Sequence, residues 1–361
     1  MDTVLVAGAS GVVGQAAVEH FAGSGRWQVI ALSRRRPDID HGATFRHLSI
    51  DLRDASTCKA AAAELTGVTH LVYAALHELP GLVAGWREAA QMTANETMLR
   101  NLLDALGSVD KLQHVSLLQG TKAYGAHLHP IAIPAREKSP RDDHANFYWL
   151  QEDLLRARAA QQGFDFTIWR PQIVFGTALG VAMNVLPIIG IHAAICREEA
   201  RPFAYTGGPP YPLEAVDARL LAHAFEWGAT AKAARNETFN ITNGDIFTWP
   251  HVWPAIAAAL GVTPGEPSPR ALAPELPGKA AVWDRIVAKH GLRPTRLADL
   301  LGESHHYLDY IFAWNAKAPP APKLVSTIKL RQAGFADCID TEDMFRAGFR
   351  RLVERGILPP P

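Results

Sequence analysis

Val4-Leu5-Val6-Ala7-Gly8-Ala9-Ser10-Gly11-Val12-Val13-Gly14 is an apolar run that breaks into three glycines spaced three apart. The run reads as a buried strand, and Val13 to Phe21 as the helix that follows it. Glycines in the turn between them allow a tight reversal, let the backbone come close to a pyrophosphate, and let helix and strand pack closely. The helix N-terminus adds free N–H groups and a partial positive charge. Gly8, Gly11 and Gly14 between a strand and a helix therefore predict a dinucleotide site.

Outward from this turn the same βα unit repeats. Trp27–Leu32 is a second strand, ending in Ser33-Arg34-Arg35-Arg36. In NAD-specific folds this strand end presents an acid to the ribose 2′-hydroxyl, whereas arginine accommodates the 2′-phosphate of NADP. No acid stands here, and guanidinium groups match phosphate oxygens in charge and fork geometry, so Arg34 and Arg35 predict NADP(H). Phe45–Leu52, Val68–Ala75, Lys111–Leu118 and Phe166–Pro171 read as further strands, with helical stretches at Thr57–Leu65, at Trp86–Ala105 and from Asn146 onward. Asp51 and Leu52 sit where an acceptor and an apolar side chain would grip an adenine ring. The fold class is α/β, a doubly wound parallel sheet of the Rossmann type with a smaller, mainly helical substrate-binding lid. Gln172–Gly176 would be a turn over the nicotinamide, and Glu237–Gly244 would return to the sheet. The expected division is a nucleotide-binding domain at 1–172 and 203–248, and a lid and C-terminal domain at 173–202 and 249–361.

Bulk properties exclude several classes. Thirty-six basic and 36 acidic side chains cancel, so the chain lacks the basic excess of phosphate-tracking surfaces and nucleic acid is not an expected partner. Cys58, Cys196 and Cys338 lie far apart, with no metal spacing and no disulfide framework, as in a reducing cytosol. Met1-Asp2-Thr3 carries neither the basic start nor the apolar core of a signal peptide, and a cytoplasmic protein is expected. Ile173–Ile195 holds no charge and is long enough on paper to span a bilayer, which takes about 20 residues. Glycines, Asn184, Pro187 and His192 interrupt it, so a buried loop with one or two helices lining a pocket is expected instead of a membrane span. The only adjacent histidines, His305-His306, have no evident third ligand, and no metal is expected. Composition carries no obligate-dimer signal, which leaves a homodimer open.

Ligands in open α/β sheets bind beyond the carboxyl ends of the strands, which brings Lys122, after the fifth strand, into the site by topology. In ordinary short-chain dehydrogenases a Tyr and a Lys lie four residues apart on one helix face. Here Glu152 stands four residues after Tyr148. A carboxylate there would raise the phenol's pKa, so an assisting cation must come from elsewhere, and Lys122 is the candidate. Tyr124, two positions after Lys122, is the rival phenol.

Several segments together resemble the PRISE family, the progesterone 5β-reductase and iridoid synthase-like enone reductases among the extended short-chain dehydrogenases. They are Gly8 to Gly14, Ser33-Arg34-Arg35, Asp51-Leu52-Arg53-Asp54, Thr69–Tyr73, Gly120-Thr121-Lys122-Ala123-Tyr124, Asn146–Asp153, Arg170–Gly176 and Phe239–Asp245. The resemblance implies Tyr148 and Lys122 as the catalytic pair. It implies cofactor contacts from Ser10, Gly11, Val12, Val13, Arg34, Arg35, Asp51, Leu52, Val174, Val181, Ala182 and Met183, with Ser33, Ala75, Gln119 and Tyr148 beside them. The family's Thr-Trp after the fourth strand is Ala75-Leu76 here, and its Lys-His-Tyr-x-Gly-Pro-Phe is Lys122-Ala123-Tyr124-Gly125-Ala126-His127-Leu128. Losing Trp and Phe side chains near the lysine implies a substrate pocket of different shape.

The reaction implied is NADPH-dependent reduction of the C=C bond of an α,β-unsaturated carbonyl compound, a small-molecule enone. The alternatives are a carbonyl reductase or sugar-nucleotide epimerase on the same fold, which Glu152 in place of the helix lysine argues against, and a non-catalytic NADP-binding regulator. Fold alone does not choose among them.

Overall fold

The computed structural model describes residues 1–39, 42–80, 82, 84–107 and 111–361. From the N-terminus run β1 (Asp2–Ala7), α1 (Val12–Gly23), β2 (Trp27–Leu32), β3 (Arg46–Leu48), α2 (Ala55–Ala60), β4 (His70–Tyr73), α3 (Ala89–Leu106), β5 (His114–Leu118), α4 (Phe147–Gln162) and β6 (Asp165–Pro171). Then come β7 (Ile173–Phe175), α5 (Leu186–Glu198), β8 (Phe203–Ala204), β9 (Ala215–Asp217), α6 (Ala218–Thr230) and β10 (Glu237–Ile241). Six helices follow: α7 (Trp249–Ala259), α8 (Ala280–His290), α9 (Leu297–Leu301), α10 (Ser304–Phe312), α11 (Ile328–Gln332) and α12 (Thr341–Glu354).

Seven strands form one sheet in the order β3-β2-β1-β4-β5-β6-β10, and every pairing is parallel. The order reverses between β1 and β4. Both strands leave the reversal in opposite directions across the sheet, which opens a crevice at their carboxyl ends. Alternation along each strand serves both faces: Leu5 packs with Leu71, Val115 and Ile168 against α3 and α4, whereas Val4 and Val6 pack with Val72, Trp169 and Phe239 against α1 and α6. Burial on both sides explains why these strands are continuous apolar runs. Helices α5, α7, α8, α9, α10 and α12 close around a separate core containing Ile188, Ile191, Trp249, Trp283, Phe345 and Phe349, whereas Cys58 of α2 packs with the sheet. Leu330 of α11 and Phe335 pack with the sheet instead, where α11 meets β10.

Three local expectations are corrected. The third strand is only Arg46–Leu48, because the chain turns away at the sheet edge, where Ser49 Oγ donates to Arg34 O and Asp54 N to Asp51 O. Residues 173–175 are a short strand, not a turn, since Ile173 and Val174 pair in parallel with Ala215 and Val216. Trp86 does not begin the third helix. It lies in a separate 3-10 turn, Ala84–Arg87, that precedes α3. Within 173–195 the one helix is α5, and among the described residues no helix is long and apolar enough to cross a membrane.

Candidate active site

A cleft of about 720 Å³ opens along the carboxyl ends of β1, β2, β4 and β5. At its base, Gly8 has φ +83°, and a Cβ there would stand 2.7 Å from the backbone of Ala74. The turn is closed by Gly11 N donating to Gly8 O at 2.9 Å. Gly11 caps α1 without any side chain bonded to its first N–H groups, so these groups face the cleft unmet by side chains. Gly14 is the one proposed cofactor residue that does not line the cleft. A Cβ on Gly14 would lie 2.1 Å from Gly8 O, which makes it the packing glycine that lets α1 sit on the turn.

Gly8, Ser10, Gly11, Val12 and Val13 form one wall, continued by Ser33, Arg34 and Arg35 after β2. The Ser33 hydroxyl is spent on Arg35 O at 2.6 Å, shaping the turn that carries the exposed Arg34 and Arg35. Asp51 and Leu52 lie at the same end. Hydrogen bonds from Arg53, the shorter at 2.6 Å, hold the Asp51 carboxyl down at about 2, and Leu52 is buried. Ala75, Gln119 and Val174 line the middle, and the loop Val181-Ala182-Met183 covers it. That loop is pinned to α10, since Asn184 N donates to Ser304 Oγ at 3.0 Å and Ser304 Oγ donates to Val181 O at 2.5 Å. A glycine cradle, an open helix N-terminus and two arginines in one cleft fit a dinucleotide carrying phosphates.

At the far end, Asn146 caps α4 by accepting from Tyr148 N at 3.0 Å and donates from Nδ2 to Lys122 O at 3.2 Å. One buried amide thus places both candidate residues. The Tyr148 hydroxyl lies against Gly120, where a Cβ would come within 3.2 Å of it. Burial, reinforced by the Glu78 carboxylate and opposed by Arg170, pushes the phenol well above its ordinary pKa. Lys122 Nζ sits 3.6 Å from the centroid of the Trp86 ring and 4.0 Å from Glu78 Oε1. Burial brings the ammonium down to about 8, against the pull of Glu78.

Glu152 turns away from this chemistry. Gln119 Nε2 donates to it at 3.1 Å, Arg156 at 2.9 and 3.0 Å, and Arg141 makes an ion pair at 3.1 Å. Burial opposes its charge, but those hydrogen bonds hold it below the ordinary carboxylate range. The carboxylate that raises the Tyr148 pKa is therefore Glu78, not Glu152. Tyr124 is also out of reach, because its hydroxyl donates to Asn240 Oδ1 at 2.7 Å inside the protein and it does not line the cleft. Glu78, Trp86 and Tyr307 were not singled out from the sequence. Glu78 lay within reach of the strand-end rule, four residues beyond Ala74 in the loop after β4. Trp86 and Tyr307 carried no local signal, and Trp86 supplies from another segment the aromatic neighbour that the lysine lacks after β4. Among the described residues no group of three metal-ligating side chains occurs, at His305-His306 or elsewhere.

The profile of the NAD dependent epimerase/dehydratase family matches residues 4–195. An (S)-8-oxocitronellyl enol synthase of Antirrhinum majus is 30% identical over 99% of this chain and 93% of its own length. The chain belongs to the extended short-chain dehydrogenase/reductases, in the PRISE branch. A second such synthase, CYC2 of Camptotheca acuminata, is 32% identical over 82% of this chain and 80% of its own. The fold is also that of a UDP-glucose 4-epimerase, with TM-score 0.70, 14% identity and 98% of each chain covered. Bordetella bronchiseptica WbmH, solved with NAD+, matches with TM-score 0.66 and 16% identity over 99% of each chain. This member of the PRISE branch is an NAD(P)-dependent oxidoreductase.

Proposed function

We propose that the protein reduces the C=C bond of α,β-unsaturated carbonyl compounds, with NADPH as the cofactor. The observation that carries this reading is the shared cleft, in which Tyr148 and Lys122 stand beyond the glycine turn and Arg34 and Arg35. NADPH bound there supplies hydride to the β-carbon, and the displaced π pair leaves the substrate as an enolate. Tyr148 donates its O–H to the enolate oxygen. A donor in this position must stay protonated, and the raised pKa keeps it so. The Lys122 ammonium adds positive charge where negative charge grows, which favours the transition state over the ground state. The α-carbon then takes a proton from water. An enol in the relatives' names agrees with hydride addition at the β-carbon. Arg34 and Arg35 on the wall support NADPH over NADH. The sheet and its flanking helices, with α11, would form the cofactor domain, and the core around α5, α7 and α12 the lid.

The test is NADPH oxidation with 2-cyclohexen-1-one, progesterone, an acyclic unsaturated dialdehyde and a saturated ketone, for wild type and Tyr148→Phe. Turnover of the unsaturated compounds alone is expected, falling by about 10²–10³ in the variant while NADPH affinity is kept. Turnover of the ketone alone would make the protein a carbonyl reductase, and tight binding without any turnover would make it a regulator.

A further inference from the structure

The loop after β4 is clamped with more care than a connecting loop needs. Asn95 of α3, fully buried, accepts from His77 N at 2.8 Å and donates to His77 O at 2.9 Å. Gln91, one turn earlier and also buried, accepts from Leu79 N at 3.0 Å and donates to Glu78 Oε2 at 2.7 Å. Two core amides are thus committed to fixing residues 77–79. What they fix is a carboxylate whose side chain is 6% exposed, on the wall of the cleft. Its second oxygen, Oε1, has no hydrogen-bond partner and points at Lys122 Nζ, 4.0 Å away. Lys122 lies on the Trp86 ring at 3.6 Å, so the ammonium has an aromatic face on one side and this carboxylate on another.

We propose that Glu78 is a positioning residue of the active site, the fixed counter-charge that holds the Lys122 ammonium on Trp86 at the substrate end of the cleft. A long lysine in a desolvated pocket has two ways to relieve its charge, withdrawal to water or loss of its proton. Glu78 opposes both. Around the lysine and its neighbours stand Tyr148 on α4, Tyr307 and Tyr310 on α10, Arg87 beside Trp86, His77, His127, His144, Arg170 and Lys323, and the cleft also holds Glu303 just before α10. Among the described residues Glu78 is the carboxylate paired with Lys122 and the one whose charge bears on it. The bearing on turnover rests on the enone-reductase reading; the lysine's state does not.

The experiment is therefore run first without turnover. Reductive methylation with ¹³C-formaldehyde gives each lysine an NMR signal that follows its protonation, and Lys122→Arg identifies the Lys122 signal. Glu78→Gln keeps the shape and the Gln91 contact but removes the charge. The Lys122 signal is expected to titrate near 8 in the wild type and at least half a pH unit lower in E78Q. E78D, one methylene shorter, should give a smaller downward shift, and it serves if E78Q does not fold. With 2-cyclohexen-1-one, the alkaline limb of kcat should move down by the same amount while NADPH affinity stays unchanged. A Lys122 titration unmoved in folded E78Q, or a loss of kcat with no shift of the limb, overturns the proposal. A shifted lysine in a protein that reduces no enone would refute the reductase reading and leave the pairing standing.

Discussion

Alanine placed at Gly14 and at Gly23 adds the same methyl group to the two ends of α1, and the structure requires opposite outcomes. At Gly14 the new carbon would lie 2.1 Å from Gly8 O, 2.6 Å from Gly8 C and 2.8 Å from Ala9 Cα. Non-bonded carbon atoms settle at about 3.5 Å or more, so α1 and the turn must part by roughly 1 Å. All three atoms are backbone, and the turn is held by Gly8 N and Gly11 N, donating to Leu32 O and Gly8 O at 2.9 Å each. No flexible side chain gives way, which puts the cost at the upper end of overpacking, about 3 kcal/mol. For a chain of this size the melting temperature should fall by about 4 °C. The parted turn should also weaken NADPH by at least about tenfold, or 1.4 kcal/mol. At Gly23 an added Cβ meets nothing within 4 Å, and φ is not in the left-handed region. There alanine should stabilise by about 0.4–1 kcal/mol, through a less flexible unfolded chain. Thermal melts with and without NADPH, together with fluorescence titration of the cofactor, measure both. Wild-type melting and wild-type affinity in Gly14→Ala, or a shift of the same sign in both variants, would refute the packing of α1 on the turn.

Acid should unfold the protein in a defined window. Burial, aided by nearby positive groups, depresses His114 to about 3 and His192 to about 4 in the folded state. The unfolded chain takes up these protons near pH 6.5 and the folded chain does not, so the stability is complete above that pH and is lost as pH falls toward the folded values. At pH 5 the loss is about 2 kcal/mol for each group. Urea midpoints at pH 7 and pH 5 should show it, and His192→Leu should lose less than the wild type; equal midpoints at both pH values would contradict the burial argument. Glu152→Lys restores the lysine spacing of ordinary short-chain dehydrogenases but should fail to restore their chemistry. It would bury a cation among Arg141, Arg156 and Arg170, which lie 2.9–3.6 Å from the present carboxylate. Removing the anion from this cluster should cost about 3–5 kcal/mol, and a variant as stable as wild type by urea titration would show that the cluster does not depend on Glu152.

The first βα turn was legible because its signal is local: apolar run, glycine spacing and helix start lie within 14 residues of chain. The residues named for the cleft line it, apart from Gly14: those just past a strand through the same locality, and Tyr148, Val174 and Val181–Met183 through the family resemblance. Parallel strands bring all their carboxyl ends to one edge, so a residue just past a strand is in the site whatever the strand order. Gly14 was recognised as part of the motif but works one layer behind the cleft, in the contact between helix and turn.

What the sequence could not supply was which charges meet. Glu152 has the spacing to face Tyr148, yet Arg141 and Arg170 approach it from a loop and a strand and draw it the other way. Tyr124 is removed from the chemistry by Asn240, 116 residues away. Lys122 receives its carboxylate from the loop after β4 and its aromatic face from a turn before α3, segments that meet it only when β4 and β5 lie side by side. Backbone pattern is short-range and repeats along the chain, so the fold and the strand-end part of the cleft follow from sequence, whereas Glu78 and Tyr307 enter it only in the assembled structure. The electrostatic partners of Tyr148 and Lys122 are long-range pairings, and only the assembled sheet and its lid decide them.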